Sequence, residues 1–182
     1  MTPRPLVAVA LAEEAAHLDG VRVVLTGPGK VAAASSVAAA IAEERPSMVL
    51  NVGTAGALRP QHEGVYSIGR VIEHDLDHLA LERLTGSRFP NSIDLDGGSE
   101  IVLATGDVFV QDDGVRARLA EHAHLVDMEG YAVARTCLTF GVPCSMLKIV
   151  SDEASAGALR SWQAAIDLAA RAIAEAVDRA LA

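Results

Sequence analysis

Short apolar runs alternate with amphipathic stretches along the chain, and the alternation predicts strands and helices in turn. LVAVAL (Leu6 to Leu11) and VRVVLT (Val21 to Thr26) read as strands. KVAAASSVAAAIAEE predicts a helix from Lys30 to about Glu44, which Pro46 stops. SMVLNVG (Ser47 to Gly53) is the next strand and runs into a turn at TAGAL. Further strand signals lie at GVYSIGRVI (Gly64 to Ile72) and EIVLATG (Glu100 to Gly106). A weakly apolar helix is expected from about Asp112 to His122, and MEGYAVARTCLTFG reads as a helix closed by Gly141. CSMLKIV (Cys144 to Val150) has the continuous apolar character of a buried strand, and a last helix runs from about Arg160 to the C-terminus. Thr85 to Ser99, rich in Gly, Ser, Asn and Pro, is expected to be a surface loop and a candidate active-site flap.

Composition sharpens this pattern to an α/β class. The chain has 182 residues, enough for one ordinary core, and residues 1–182 are expected to form a single domain. It is 51% hydrophobic but only 3% aromatic, so the apolar content is mostly Ala, Val, Leu and Ile, which suits helices packed closely on a sheet. A formal charge of -9 argues against a polynucleotide partner, since phosphate binding needs a cationic surface. Cys137 and Cys144 are too few for a disulfide framework and lack metal or redox spacing, so both read as packing thiols in a reducing, cytoplasmic setting. The apolar run near the N-terminus is far short of a membrane span and reads as a buried first strand.

Five segments and the Glu13-Glu14 pair carry candidate chemistry. TGPGK (Thr26 to Lys30) either offers free backbone amides to an anion or merely makes a tight strand-to-helix turn; it lacks the spacing of a phosphate loop or a dinucleotide fingerprint. NVGTAGAL has the same form, with small residues that let a ligand approach a strand end. HDLDH (His74 to His78) packs two imidazoles and two carboxylates into five residues. In an extended chain its ends lie about 13 Å apart, too far for one metal ion, so a polar loop bordering a pocket is preferred. VDMEG and KIVSDEA place Asp127, Glu129 and Asp152 where elements leave the sheet, and the Glu13-Glu14 pair follows the first strand. Any one of these acids could be a helix cap. Together they point to an acidic pocket at the strand ends.

These pieces, taken in order as LAEEAAHL, TGPGKVAAA, NVGTAGAL, HDLD, TGDVFV, VDMEGYAVA and KIVSDEA, span nearly the whole chain. The set resembles the purine nucleoside phosphorylase and nucleosidase superfamily, and looks most like its methylthioadenosine/S-adenosylhomocysteine nucleosidases. The resemblance implies a three-layer αβα sandwich around a twisted mixed β-sheet that uses no metal and no organic cofactor, with a small purine nucleoside as substrate and a homodimer as the assembly. It implies that Asp152, beside Ser151, is the general acid that protonates the leaving base, through a carboxyl raised by desolvation. It implies that Glu129 accepts hydrogen bonds from the ribose hydroxyls, with Asp127 and Met128 beside it, and that Glu14 prepares the attacking water. Glu13 remains an alternative for that last task. Thr54 stands where the family usually has Ser. Phe109 and Val110 resemble the segment that stacks on the purine and reads its edge. Trp162, ten residues beyond Asp152, matches a Phe that closes over the base, and otherwise would be a core residue of the last helix.

Hydrolysis or phosphorolysis turns on cations. The family's phosphorylases bind phosphate with arginines, and here those places hold Asn51 and the Glu13-Glu14 pair. Carboxylates there suit water, so an N-glycosidase is expected, with Lys148 in an electrostatic role and Arg59 as the other residual cation. A phosphate-dependent phosphorylase, a futalosine-type hydrolase and a non-catalytic nucleoside-binding protein are the alternatives. The chain is shorter than the family's usual length between Glu14 and Gly27 and after HDLDH, and the second region bears on the 5'-substituent.

Overall fold

In the computed structural model the described residues, 3–155 and 158–182, build a nine-stranded mixed sheet between layers of helix. β1 (Leu6–Val9) pairs in parallel with β2 (Arg22–Leu25) on one side and with β3 (Val49–Ala57) on the other. β3 also pairs in parallel with β9 (Cys144–Asp152), which carries the short antiparallel β4 (Val65–Ser67) on its outer edge. The last two residues of β3 turn to pair with β8 (Leu125–Asp127), after a register shift between Ala55 and Gly56. From β8 the sheet continues through β7 (Val102–Thr105) and β5 (Arg70–Glu73) to β6 (Ser92–Asp94).

The uninterrupted apolar runs have a direct cause. Successive strand residues point to opposite faces, and both faces of this sheet are covered. In β1, Leu6 and Ala8 pack with Ala33, Val37 and Ile41 of α1 (Lys30–Glu43) and with Val133 and Cys137 of α4 (Gly130–Phe140). Val7 and Val9 face the other way and meet Ala169, Ile173 and Val177 of α5 (Ala158–Leu181). The expected three-layer αβα sandwich with a mixed sheet is therefore the observed architecture. No helix among the described residues is long and apolar enough to cross a membrane.

Three local expectations change. TAGAL is not a turn: β3 runs on through it to Ala57, because small residues allow a strand to continue between crowded neighbours. GVYSIGRVI is two strands, since the chain changes partner within it: Ile68 N–H donates to Met146 of β9, whereas Gly69 N–H donates to Ile101, which leads into β7. Thr85 to Ser99 is not loop throughout. Its Ser92–Asp94 segment is β6, and HLALERLT before it forms α2 (His78–Thr85). The Asp77 carboxylate caps that helix by accepting from the Ala80 amide at 2.8 Å, and Gly86 ends it in the left-handed region. β8, only three residues long, is supported by its partners and had no periodicity to announce it. The helix expected from about Asp112 is α3 (Asp113–Leu119), with Asp112 as its cap.

Candidate active site

A cavity of about 240 Å3 lies where β1, β3, β8 and β9 leave the sheet. Of the residues singled out from the sequence, Glu14, Thr54, Phe109, Val110, Asp127, Met128, Glu129, Lys148, Ser151, Asp152 and Trp162 line it, and Glu13 and Arg59 do not. This is the strand-end crevice in which open α/β sheets bind ligands.

Glu14 sits in the turn after β1 and is buried, whereas Glu13 is exposed. Its Oε1 accepts from both the backbone amide and the hydroxyl of Thr54, at 2.7 and 2.8 Å. Its Oε2 accepts from the Leu11 amide at 3.2 Å. The Thr54 hydroxyl in turn accepts from the Trp162 indole N–H at 3.0 Å, so the lone tryptophan reaches the cavity from α5. β3 permits this approach because it is built of small residues. A Cβ on Gly53 would come within 3.3 Å of Glu14 Oε1, and one on Gly56 within 3.0 Å of Asp152 Oδ1.

Asp152 is the last residue of β9 and is paired with Gly56 of β3. Its Oδ1 accepts from the Ala154 amide at 2.8 Å and its Oδ2 from the Ser151 hydroxyl at 2.9 Å. Burial pushes its carboxyl above the ordinary aspartate value, and those two hydrogen bonds offset part of the rise. The group therefore holds a proton more readily than an ordinary aspartate does.

A buried ion pair also lines the cavity. Lys148 is 1% exposed, and its ammonium lies 2.9 Å from Asp127 Oδ2. Burial works against the charge of Lys148, yet Asp127 and then Glu129 hold its pKa above the ordinary lysine value. The Asp127 carboxylate is further occupied by the Thr105 hydroxyl at 2.7 Å and the Gly130 amide at 2.9 Å. Asp127 thus anchors Lys148 and the start of α4. Arg59, the other cation noted in the sequence, is turned away to the carbonyl of Ala120.

Glu129 is the N-cap residue of α4, but its side chain leaves the helix: Oε1 accepts from the Gly29 amide across the cavity at 2.9 Å. The glycine turn TGPGK therefore serves an acid of the chain itself. Burial pushes the Glu129 carboxyl up to about 7, and the charge of Asp127 adds to the rise, while Lys148 and the Gly29 amide oppose it. Because this folded value exceeds the ordinary 4.5, the native state holds a proton that the unfolded chain has released between those two pH values. Stability from this group is present below about 4.5 and is lost as pH rises through about 7. The loss is on the order of 3 kcal/mol. Glu129→Gln, which cannot ionise, should therefore gain stability relative to the wild type between pH 5 and pH 8 in parallel denaturant titrations. A difference between the two proteins that does not vary with pH would show that the carboxyl titrates normally.

Two features of the site carried no readable signal in the sequence. Asn51 on β3 donates to the Ala8 carbonyl at 3.0 Å and leaves its buried Oδ1 without a hydrogen-bond partner at the cavity wall. Lys30, read only as the end of a glycine turn, gathers acids from the HDLDH and GDVFV segments. None of the HDLDH residues lines the cavity: Asp75 accepts from Lys30, and His78 opens α2. No metal-binding group of His, Cys, Asp and Glu occurs among the described residues.

Comparison with known proteins places this geometry in a family. Residues 99–182 match the model of the phosphorylase superfamily. The 5'-methylthioadenosine/S-adenosylhomocysteine nucleosidase of Geobacillus thermodenitrificans is 31% identical over 88% of this chain and 79% of its own length. Among solved structures, a mutant nucleosidase of Helicobacter pylori holding 5'-methylthioadenosine in its active site superposes with a TM-score of 0.88 at 23% identity, covering 98% of each chain. The futalosine hydrolase of Helicobacter pylori superposes equally well, with a TM-score of 0.88 at 24% identity over 98% of this chain and 97% of that one. The chain belongs to the phosphorylase superfamily.

Proposed function

We propose that this protein is a purine-nucleoside N-glycosidase that releases a free base from an adenosine-like nucleoside of the methylthioadenosine/S-adenosylhomocysteine type. The observation that carries the reading is the placement of two differently equipped acids in one cavity. Asp152 holds a proton more readily than an ordinary aspartate, and Glu14 is fixed by the Thr54 amide and hydroxyl and the Leu11 amide.

The chemistry follows from those states. Asp152 gives its proton to N7 of the purine as the bond between C1' and N9 breaks, and the bonding electrons leave with the base. The sugar passes through an oxocarbenium-like state, as in other glycoside hydrolysis. Water attacks C1' and loses its proton to Glu14. Glu129, ionised, accepts from the ribose hydroxyls, and Met128 packs against the sugar. Phe109 and Val110 line the base side, and Trp162 closes over it. Asp127 and Lys148 support the sugar side from beneath. The step uses only these groups and water.

The electrostatics favour water over phosphate. Glu14, Asp127, Glu129 and Asp152 surround the cavity, and Lys148, the only cation among its described lining residues, is already paired with Asp127. A multiply charged phosphate would be repelled where neutral water is not. A panel of purine nucleosides, including methylthioadenosine, adenosylhomocysteine, 5'-deoxyadenosine and futalosine, assayed for free base with and without phosphate, tests this. Equal rates and a free sugar product are expected. Activity that appears only with phosphate, with a sugar 1-phosphate as product, would overturn hydrolysis.

A further inference from the structure

The strongest feature that this mechanism leaves unused is the ion cluster around Lys30, at the rim of the cavity. The Lys30 ammonium donates to Glu73 Oε1 at 2.7 Å and to Asp75 Oδ1 at 2.5 Å, and it lies 3.8 Å from Asp107 Oδ2. The acids come from three separate places: the end of β5, the HDLDH segment and the loop that opens GDVFV. Asp75 also accepts from the Asp107 amide at 2.8 Å, which closes the cluster on itself. His78 Nε2 stands 3.4 Å from Glu73 Oε2 on its far side.

The backbone beside Lys30 connects this cluster to the pocket. The Lys30 amide donates to Asp107 Oδ1 at 2.7 Å, and the preceding amide, that of Gly29, donates to Glu129. One dipeptide therefore holds the sugar-side acid with one N–H and the root of the Phe109–Val110 loop with the next. We infer that Lys30 is a positioning residue of the nucleoside pocket: by drawing Glu73, Asp75 and Asp107 together it sets the Gly29 amide against Glu129 and the Phe109–Val110 loop against the base.

Charge explains why the lysine is needed. Three carboxylates within reach of one another repel, and a single buried-edge cation converts that repulsion into a clasp. Burial opposes the ammonium, yet Asp75 and Glu73 keep its pKa above the ordinary lysine value. Asp75, despite its own burial, is held below the ordinary aspartate value chiefly by Lys30. Lys30 and Asp75 therefore hold each other in their charged forms, and Lys30 does not act as an acid or base.

The inference rests on the nucleoside reading above, so its test separates binding from turnover. Lys30→Met should raise KM, and the Kd of an adenosine probe read through Trp162 fluorescence, by about tenfold or more. At alkaline pH kcat should stay within about threefold, because Asp152 and Glu14 are untouched. The Glu129 limb of the pH profile should move to higher pH, because the Gly29 hydrogen bond that favours its ionised form is loosened; Asp127, Lys148 and Glu14, which also face that carboxyl, are unchanged. Lys30→Arg should recover most of the loss. Should Lys30→Met not fold, Asp107→Ala carries the test, since it cuts the loop from the cluster at a half-exposed side chain. An unchanged Kd and KM, a loss confined to kcat, or an Arg variant no better than Met would overturn the inference. Absence of any nucleoside cleavage by the wild type would instead overturn the activity on which it rests.

Discussion

Asp152→Asn should lower kcat by about 10²–10⁴-fold, the range in which a positioned general acid contributes, while the Kd for an adenosine probe changes only a few-fold. The substitution keeps the shape of the side chain and an oxygen for the Ala154 amide, which is 2.8 Å from the carboxylate. It removes the one thing the mechanism requires, a proton that can be transferred. An amide can hydrogen-bond to a purine nitrogen but cannot protonate it. The pH dependence adds a second check. A raised acid is lost as a donor when pH climbs through its folded value, so the wild-type rate should fall on the alkaline side, and the residual rate of the variant should lack that limb. The measurement is single-turnover base release across pH, beside fluorescence titration of Trp162. Turnover equal to the wild type would remove Asp152 from the acid role, and a matching loss of binding would make it a contact instead.

The location of these acids was readable because position and residue type agreed. Asp152 closes a run of buried apolar residues, and an acid at such a place faces the strand-end crevice. Asp127 and Glu129 were legible in the same way, from their place at a helix start. What the chain alone could not give was which neighbour each acid uses. Glu13 and Glu14 are adjacent and chemically alike, and only the fold puts Glu14 under Thr54 while leaving Glu13 in solvent. Asp127 looked like a ligand contact, yet its oxygens are engaged by Lys148, Thr105 and Gly130, partners distant in the chain. The Lys30 cluster spans Lys30 to Asp107 and depends on the start of α1, the end of β5 and two loops meeting, so no local spacing encodes it. The same limit explains the sheet. β1 and β9 announce themselves by apolar runs, whereas β8 and β6 are three residues each and exist because β3, β7 and β5 offer edges to pair with.

Lys148→Met should destabilise the fold by about 3–5 kcal/mol, the cost of breaking a buried ion pair by removing one partner. The side chains of Lys148 and Asp127 are only 2% and 1% exposed, so neither can turn to water when the other is lost. For a chain of this size the loss corresponds to a fall in Tm of roughly 6–20 °C. Methionine fills much of the space, so the deficit reports the stranded Asp127 charge more than a void. The double variant Lys148→Met, Asp127→Asn tests that cause. It neutralises the stranded carboxylate while keeping groups that hydrogen-bond to Thr105 and Gly130, and it should regain a large part of the lost stability. The site should respond as well, because Lys148 opposes the rise of the Glu129 carboxyl and Asp127 promotes it. In Lys148→Met the carboxyl should therefore ionise only above about 7, so that nucleoside binding at neutral pH weakens and recovers on raising the pH. The double variant should bring that transition back down. Loss of stability without any shift in the pH dependence of binding would confine Lys148 to the core, whereas both effects together would tie the stability of the fold to the charge state of its pocket.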